Sequence, residues 1–147
     1  VVFTQSQNEA EMKITAKVFV SVFFLFLTVI VSEASAGDVQ QESTQEAATI
    51  IKQNAANADF IILDVRPDGA YKQGHIQGAV SMPVRSASFS AAVEKLDTSK
   101  TYLVYCVRGG MTAQAVAIMQ SKGFNSIIAA VEGIVGWSEA GYPLVSD

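Results

Sequence analysis

Apolar positions along the chain fall into two regimes. Residues 18–31 read VFVSVFFLFLTVIV, 14 residues without a charge. A bilayer-spanning helix needs about 20 apolar residues, so this run is short for a span. Lys13 and Lys17 precede it; Glu33 and then Ala34-Ser35-Ala36 follow. A basic start, a short apolar stretch and a small-x-small site predict a signal peptide over residues 12–36. A retained N-terminal membrane anchor is the alternative. Met12 stands where such a signal would open, so residues 1–11 read as an artefact of an over-long translation start. The expectation is an exported protein, periplasmic in a Gram-negative cell, that touches a membrane only through an uncleaved signal segment.

After residue 36 the apolar runs become short and alternate with helical patterns. Residues 37–42 read as a polar linker. Ser43-Thr44-Gln45-Glu46 has the capping-box spacing and opens a helix that ends near Asn54 to Asn57. Phe60 to Val65 is an apolar, β-branched run, as expected for a strand covered on both faces. Pro67-Asp68-Gly69 breaks it, and Tyr71 to Gly78 reads as a Gly-bounded loop holding His75. A short strand over 79–82 stops at Pro83, and 89–96 is a short amphipathic helix. Thr101 to Tyr105 is the most strand-like segment, with Cys106 at its C-terminal end. A loop follows, then a helix that Thr112 is placed to cap and that Gly123 closes. A strand over 125–129 and a last helix over 133–140 complete the pattern. Strands alternating with helices predict an α/β fold with a parallel sheet.

Composition narrows the chemistry. Net charge is −4, with no basic run, which excludes a typical nucleic-acid binder. The single Cys and single His exclude an intramolecular disulfide, a multi-His metal cage and a cluster of Cys ligands. Neither a metal nor a cofactor is expected, and nothing in the sequence demands more than a monomer.

In an open parallel sheet, sites form where strands end and helices begin. Cys106 is at such a place. The loop Val107-Arg108-Gly109-Gly110-Met111, with Thr112 after it, can curl so that successive N–H groups point inward, with a helix dipole behind them. A thiol there ionises more readily, and the thiolate is the nucleophile. Arg108 adds positive charge. The residues alone leave two readings of Cys106: a small core residue, or a reactive thiol.

Three segments resemble the rhodanese (sulfurtransferase) family. They are Leu63-Asp64-Val65-Arg66 with Tyr71 to Ala79 and Met82-Pro83; Tyr105 to Ala113; and Glu132 to Trp137 with Gly141-Tyr142-Pro143. The resemblance implies a rhodanese-like domain over 43–147, a three-layer parallel sheet of about five strands with helices on both faces. It also implies sulfur transfer: Cys106 accepts a sulfane sulfur from a donor such as thiosulfate, and Val107 to Thr112 hold the persulfide. A thiol or cyanide then removes the sulfur. The alternative is a non-catalytic module of the same fold that binds a sulfur compound, an oxyanion or a protein partner; a redox-sensing thiol is a third reading.

The sequence departs from the family at the fifth residue after the Cys, usually Arg in thiosulfate-using relatives and here Met111. That departure removes a two-point grip on a sulfonate and leaves Arg108 as the loop's only cation. Thr112 stands where phosphatases of similar fold carry Arg, so phosphate-ester chemistry is not expected. Asp64 and Arg66 are read as a scaffold ion pair or as caps of the loops, and His75 as a hydrogen-bonded structural group, with support of the catalytic site as the alternative for all three. Trp137 is read as core.

Overall fold

Side chains alternate across a strand, so a strand apolar at every position needs a covered layer on each side. The computed structural model, which describes residues 38–146, shows how the chain meets that need. The strands are β1 (Asp38–Glu42), β2 (Phe60–Asp64), β3 (Ala79–Ser81), β4 (Thr101–Tyr105) and β5 (Ser126–Ala130). The helices are α1 (Thr44–Gln53), α2 (Asp68–Gln73), α3 (Phe89–Val93), α4 (Gly110–Ser121) and α5 (Gly133–Glu139). The strands lie in the order β1-β5-β4-β2-β3, and every neighbouring pair is parallel.

Each face has its own core. On one, Leu63, Val65, Tyr102, Val104, Cys106, Ile127 and Ala129 pack with Phe89 and Val93 of α3 and Ala115, Val116 and Met119 of α4. On the other, Ile62, Leu103, Tyr105, Ile128 and Ala130 pack with Ala47 of α1 and Ile134 and Trp137 of α5. Central β4 is sealed: Tyr102, Leu103, Val104 and Tyr105 have no exposed surface. Burying an apolar side chain of this size stabilises by about 1.5–3 kcal/mol. This is the three-layer α/β arrangement that the alternating pattern predicts.

Local signals perform as read where they are complete. Ser43 and Glu46 form a reciprocal capping box: the Glu46 amide donates to Ser43 Oγ at 3.4 Å, and the Ser43 amide to Glu46 Oε2 at 3.1 Å. Gly123 follows Lys122, the C-cap of α4, with φ +86°, the left-handed conformation of a helix stop.

Two segments differ from expectation. Residues 37–42, read as a linker, contain β1, whose Val39 pairs in register with Ile127 of β5. Its sequence, DVQQE, has no apolar alternation because it is an edge strand; its pairing partner lies almost 90 residues away, invisible to local patterning. Tyr71, Lys72 and Gln73, read as loop, belong to α2. Pro67 fixes the backbone ahead of that helix and Asp68 supplies first-turn acidity, but six residues are too few to show a helical period. Other limits shift by one to three residues. The segments read as an over-long start (1–11) and a signal peptide (12–36) lie outside the described residues.

Candidate active site

Cys106 is the first residue beyond β4, and its alternation with Tyr102 and Val104 turns the sulfur toward α3 and α4. The residue is only 1% exposed. After it the chain must reverse into α4 within three residues, and Gly109 makes this possible. Its φ is +87°, and a Cβ there would sit 2.6 Å from the Val131 carbonyl oxygen. Gly109 is therefore the helix N-cap and Gly110 opens α4. Thr112, expected as the cap, lies inside the first turn instead; only glycine fits the left-handed cap position at this close approach.

The loop is held from its other side by α5. The Ile134 amide donates to the Cys106 carbonyl at 2.8 Å, and the Val135 amide to the Val107 carbonyl at 3.3 Å. With these carbonyls turned to α5, amides beyond them are free to face the sulfur. Burial pushes the Cys106 thiol up, but the Thr112 hydroxyl and the amides of Thr112, Arg108 and Met111 outweigh it. The net effect holds the thiol below its ordinary range, through hydrogen bonds to the charged form. Thr112 Oγ1 is buried and has no partner in the resting geometry, so its proton is available to a sulfur anion. The 12-residue α4 adds its positive end.

The rest of the loop faces outward. Val107 is 39% exposed. Arg108 is exposed and lines a hollow of about 400 Å³ with Thr44, Glu132 and Glu139. Met111 is half-buried and lines another, of about 550 Å³, with Val65, Met82, Phe89 and Arg85.

Asp64, Arg66 and His75 do not converge on Cys106. The Arg66 Nη2–Asp64 Oδ2 distance is 2.6 Å, and Arg66 also donates to the Gly74 carbonyl at 2.7 Å. Burial opposes charge on Arg66, but the Asp64 carboxylate prevails and raises its affinity for the proton. The guanidinium carbon lies 5.8 Å from the ring centroid of Tyr105, which belongs to the α1/α5 face. The Tyr105 hydroxyl accepts from the Ile76 amide at 3.1 Å. His75 stacks on Tyr71 with ring centroids 3.8 Å apart, its Nδ1 is 3.0 Å from the Tyr71 carbonyl, and its backbone pairs with Val145. These groups tie the end of β2 to the α2 loop, as a scaffold reading expects. Trp137 is buried and donates to the Pro143 carbonyl at 3.0 Å.

Sequence reasoning missed two residues beside this loop. Gly133 was legible only as a turn glycine. Its φ is +62°, and a Cβ would fall on the carbonyls of Cys106 and Val107, so it sets the contact between α5 and the loop. Arg85 follows Pro83 in an exposed connection, and no local signal ties it to residues 106–112.

Fold and loop together define a parallel α/β domain that presents a thiol, at a strand end, to inward-facing amides. The chain belongs to the rhodanese-like domain family, whose model matches residues 43–140. It is 29% identical over 98 residues to the thiosulfate sulfurtransferase GlpE of Coxiella burnetii, covering 67% of this chain and 86% of that one. It is 33% identical over 92 residues to a tRNA sulfurtransferase of Vibrio vulnificus, covering 61% of this chain but only 19% of that protein. The solution structure of the rhodanese-like domain of Alr3790 from Anabaena superposes with a TM-score of 0.61 at 29% identity, covering 73% of this chain and 79% of that domain. These relatives are named sulfurtransferases, and the chain resembles them at modest identity while spanning only about a fifth of the tRNA sulfurtransferase.

Proposed function

We propose that the protein moves a sulfane sulfur from a small donor such as thiosulfate to a thiophilic acceptor through a persulfide on Cys106. The Cys106 thiolate attacks the outer sulfur of thiosulfate. The donor's S–S bond breaks, and sulfite leaves with the electron pair. The new terminal sulfur carries the negative charge, within reach of the Arg108, Met111 and Thr112 amides. Cyanide or a thiolate then attacks that terminal sulfur, and Cys106 departs as the thiolate. No net oxidation is needed in either half, and each half begins and ends with an anion at the same place.

The observation that carries this reading is the placing of Cys106: a 1% exposed thiol at the end of β4, before the positive end of α4, with the buried Thr112 hydroxyl unpartnered, a setting that favours charge on the sulfur in spite of burial. A core cysteine without such donors would have its thiol raised. Met111, in the place of a charged residue, is what favours the rival reading of a non-catalytic binding module. Mass spectrometry separates the two. After thiosulfate treatment the intact protein should gain about 32 Da, lose it with cyanide, and gain nothing as Cys106→Ser. No gain with any sulfane donor would leave the binding module as the better reading.

A further inference from the structure

Thiosulfate is a dianion, and Met111 gives it no charge to meet. Two cations stand in hollows that border the active-site loop, Arg108 and Arg85. They are not equivalent. Arg108 borders two hollows: one of about 400 Å³ with Glu132 and Glu139, two carboxylates against one guanidinium, which disfavours a dianion, and one of about 500 Å³ with Gln41, Gly109 and Thr112 that carries no carboxylate but is floored by the start of α4 rather than by the Met111 cluster.

The hollow of Arg85 differs in both floor and wall. Val65, Phe89, Met82 and Met111 line it, and these residues form one apolar cluster with Cys106. The wall is the connection from β3 to α3. That connection is anchored by buried Val84, whose amide donates to the Val65 carbonyl at 3.2 Å, and by turns closing from Ser86 to Pro83 and from Phe89 to Ser86. Arg85 projects from this ordered turn. It is exposed, and among the described residues no ion pair engages it. Ser86 and Ser88 stand beside it with their hydroxyls 2.8 Å apart. One carboxylate, Asp68 at the start of α2, also lines the hollow and accepts from Ser81 Oγ at 2.6 Å, so one carboxylate stands against one guanidinium here.

We infer that the hollow between the β3–α3 connection and Met111 is a subsite for the oxyanion end of an anionic sulfur donor, with Arg85 as its cation. The guanidinium fork matches two oxygens of a sulfonate, and Ser88 can donate to the third. Apolar Met111, Met82 and Phe89 then flank the sulfane end, where charge disperses as the S–S bond breaks. The inference rests on the sulfur-transfer reading above and names the residue that recognises its donor.

The test compares wild type, Arg85→Gln, Arg85→Lys and Arg108→Gln. Persulfide formation is followed by mass spectrometry against thiosulfate concentration, and Cys106 alkylation is timed with neutral iodoacetamide and anionic iodoacetate. Arg85→Gln should raise the half-saturating thiosulfate concentration about tenfold or more, the scale of one charge-assisted contact. Arg85→Lys should recover part of that loss. Iodoacetamide rates should stay within about twofold, as for an exposed substitution, while the iodoacetate rate falls. Unchanged thiosulfate dependence in Arg85→Gln, an equal fall with both alkylating agents, or a selective loss in Arg108→Gln instead would each overturn the subsite. If wild type takes up no sulfur at all, the sulfur-transfer reading fails separately; the iodoacetate-to-iodoacetamide ratio then still decides whether Arg85 serves an anion.

Discussion

The Ile134 amide donates to the Cys106 carbonyl oxygen at 2.8 Å, across 28 residues of chain. This bond joins the start of α5 to the first peptide of the loop that follows β4. It forms only because Gly133, just before it, takes φ +62° with no side chain between the two backbones. Gly133→Ala should therefore act twice. The left-handed conformation costs an alanine about 1–2 kcal/mol, and its Cβ must push the Cys106 and Val107 carbonyls away. Urea unfolding should show a loss of about 2 kcal/mol or more, and persulfide loading of the folded fraction should fall as well. Stability lost without any change in loading would show that the α5 contact does not shape the loop.

Thr112 can offer both its unpartnered hydroxyl and its amide to a charged sulfur. Thr112→Val removes only the hydroxyl, so the Cys106 thiol should titrate higher. A hydrogen bond to an anion is worth about 1.5–3 kcal/mol, or roughly one pKa unit at the low end. At pH values below the wild-type midpoint the thiolate fraction then falls about tenfold. A more basic thiolate is a better nucleophile, with a Brønsted slope of about 0.4–0.5, which returns about threefold of that loss. The net expectation is iodoacetamide alkylation slowed about threefold below the wild-type midpoint, with its pH profile shifted to higher pH. Thr112→Ser should restore both. An unshifted profile in Thr112→Val would remove the hydroxyl from the site.

The buried Asp64–Arg66 pair makes the opposite kind of prediction. Asp64 is fully buried and Arg66 is 6% exposed. Asp64→Ala leaves the guanidinium without its counter-charge, which costs about 3–5 kcal/mol. Asp64→Leu combined with Arg66→Met should recover much of that. Because these side chains meet Tyr105 on the far face of the sheet from Cys106, the alkylation profile of whatever remains folded should match wild type. A shifted profile at unchanged stability would make the pair part of the chemistry.

What the sequence disclosed follows from the range of the forces involved. Phe60 to Asp64 and Thr101 to Tyr105 announce themselves because burial on both faces demands apolar residues in succession. Ser43 and Glu46 are as legible, since a capping box closes within four residues. β1 is not, because Gln40 and Gln41 become strand only by pairing with β5. The Cys106 thiol and its glycine loop are contiguous, so their place at the end of β4 could be read directly. Gly133 and Arg85 could not, because what each does depends on the fold bringing distant backbone to residues 106–111.

Linkage gives Cys106 a second measurable signature. Its thiol is held below the ordinary value in the folded chain and should return to about 8.5 when unfolded. A group with a depressed folded pKa contributes stability that is full above the unfolded value and is lost as pH falls through the folded one. Stability of the native chain relative to Cys106→Ser should therefore rise as pH increases from the folded value toward about 8.5, then level off. The difference between the two proteins isolates this thiol, because every other titrating group is shared. Urea midpoints at a series of pH values across that window measure it. A difference that stays flat, or falls with rising pH, would mean that burial dominates the sulfur and that the loop amides do not favour its charge.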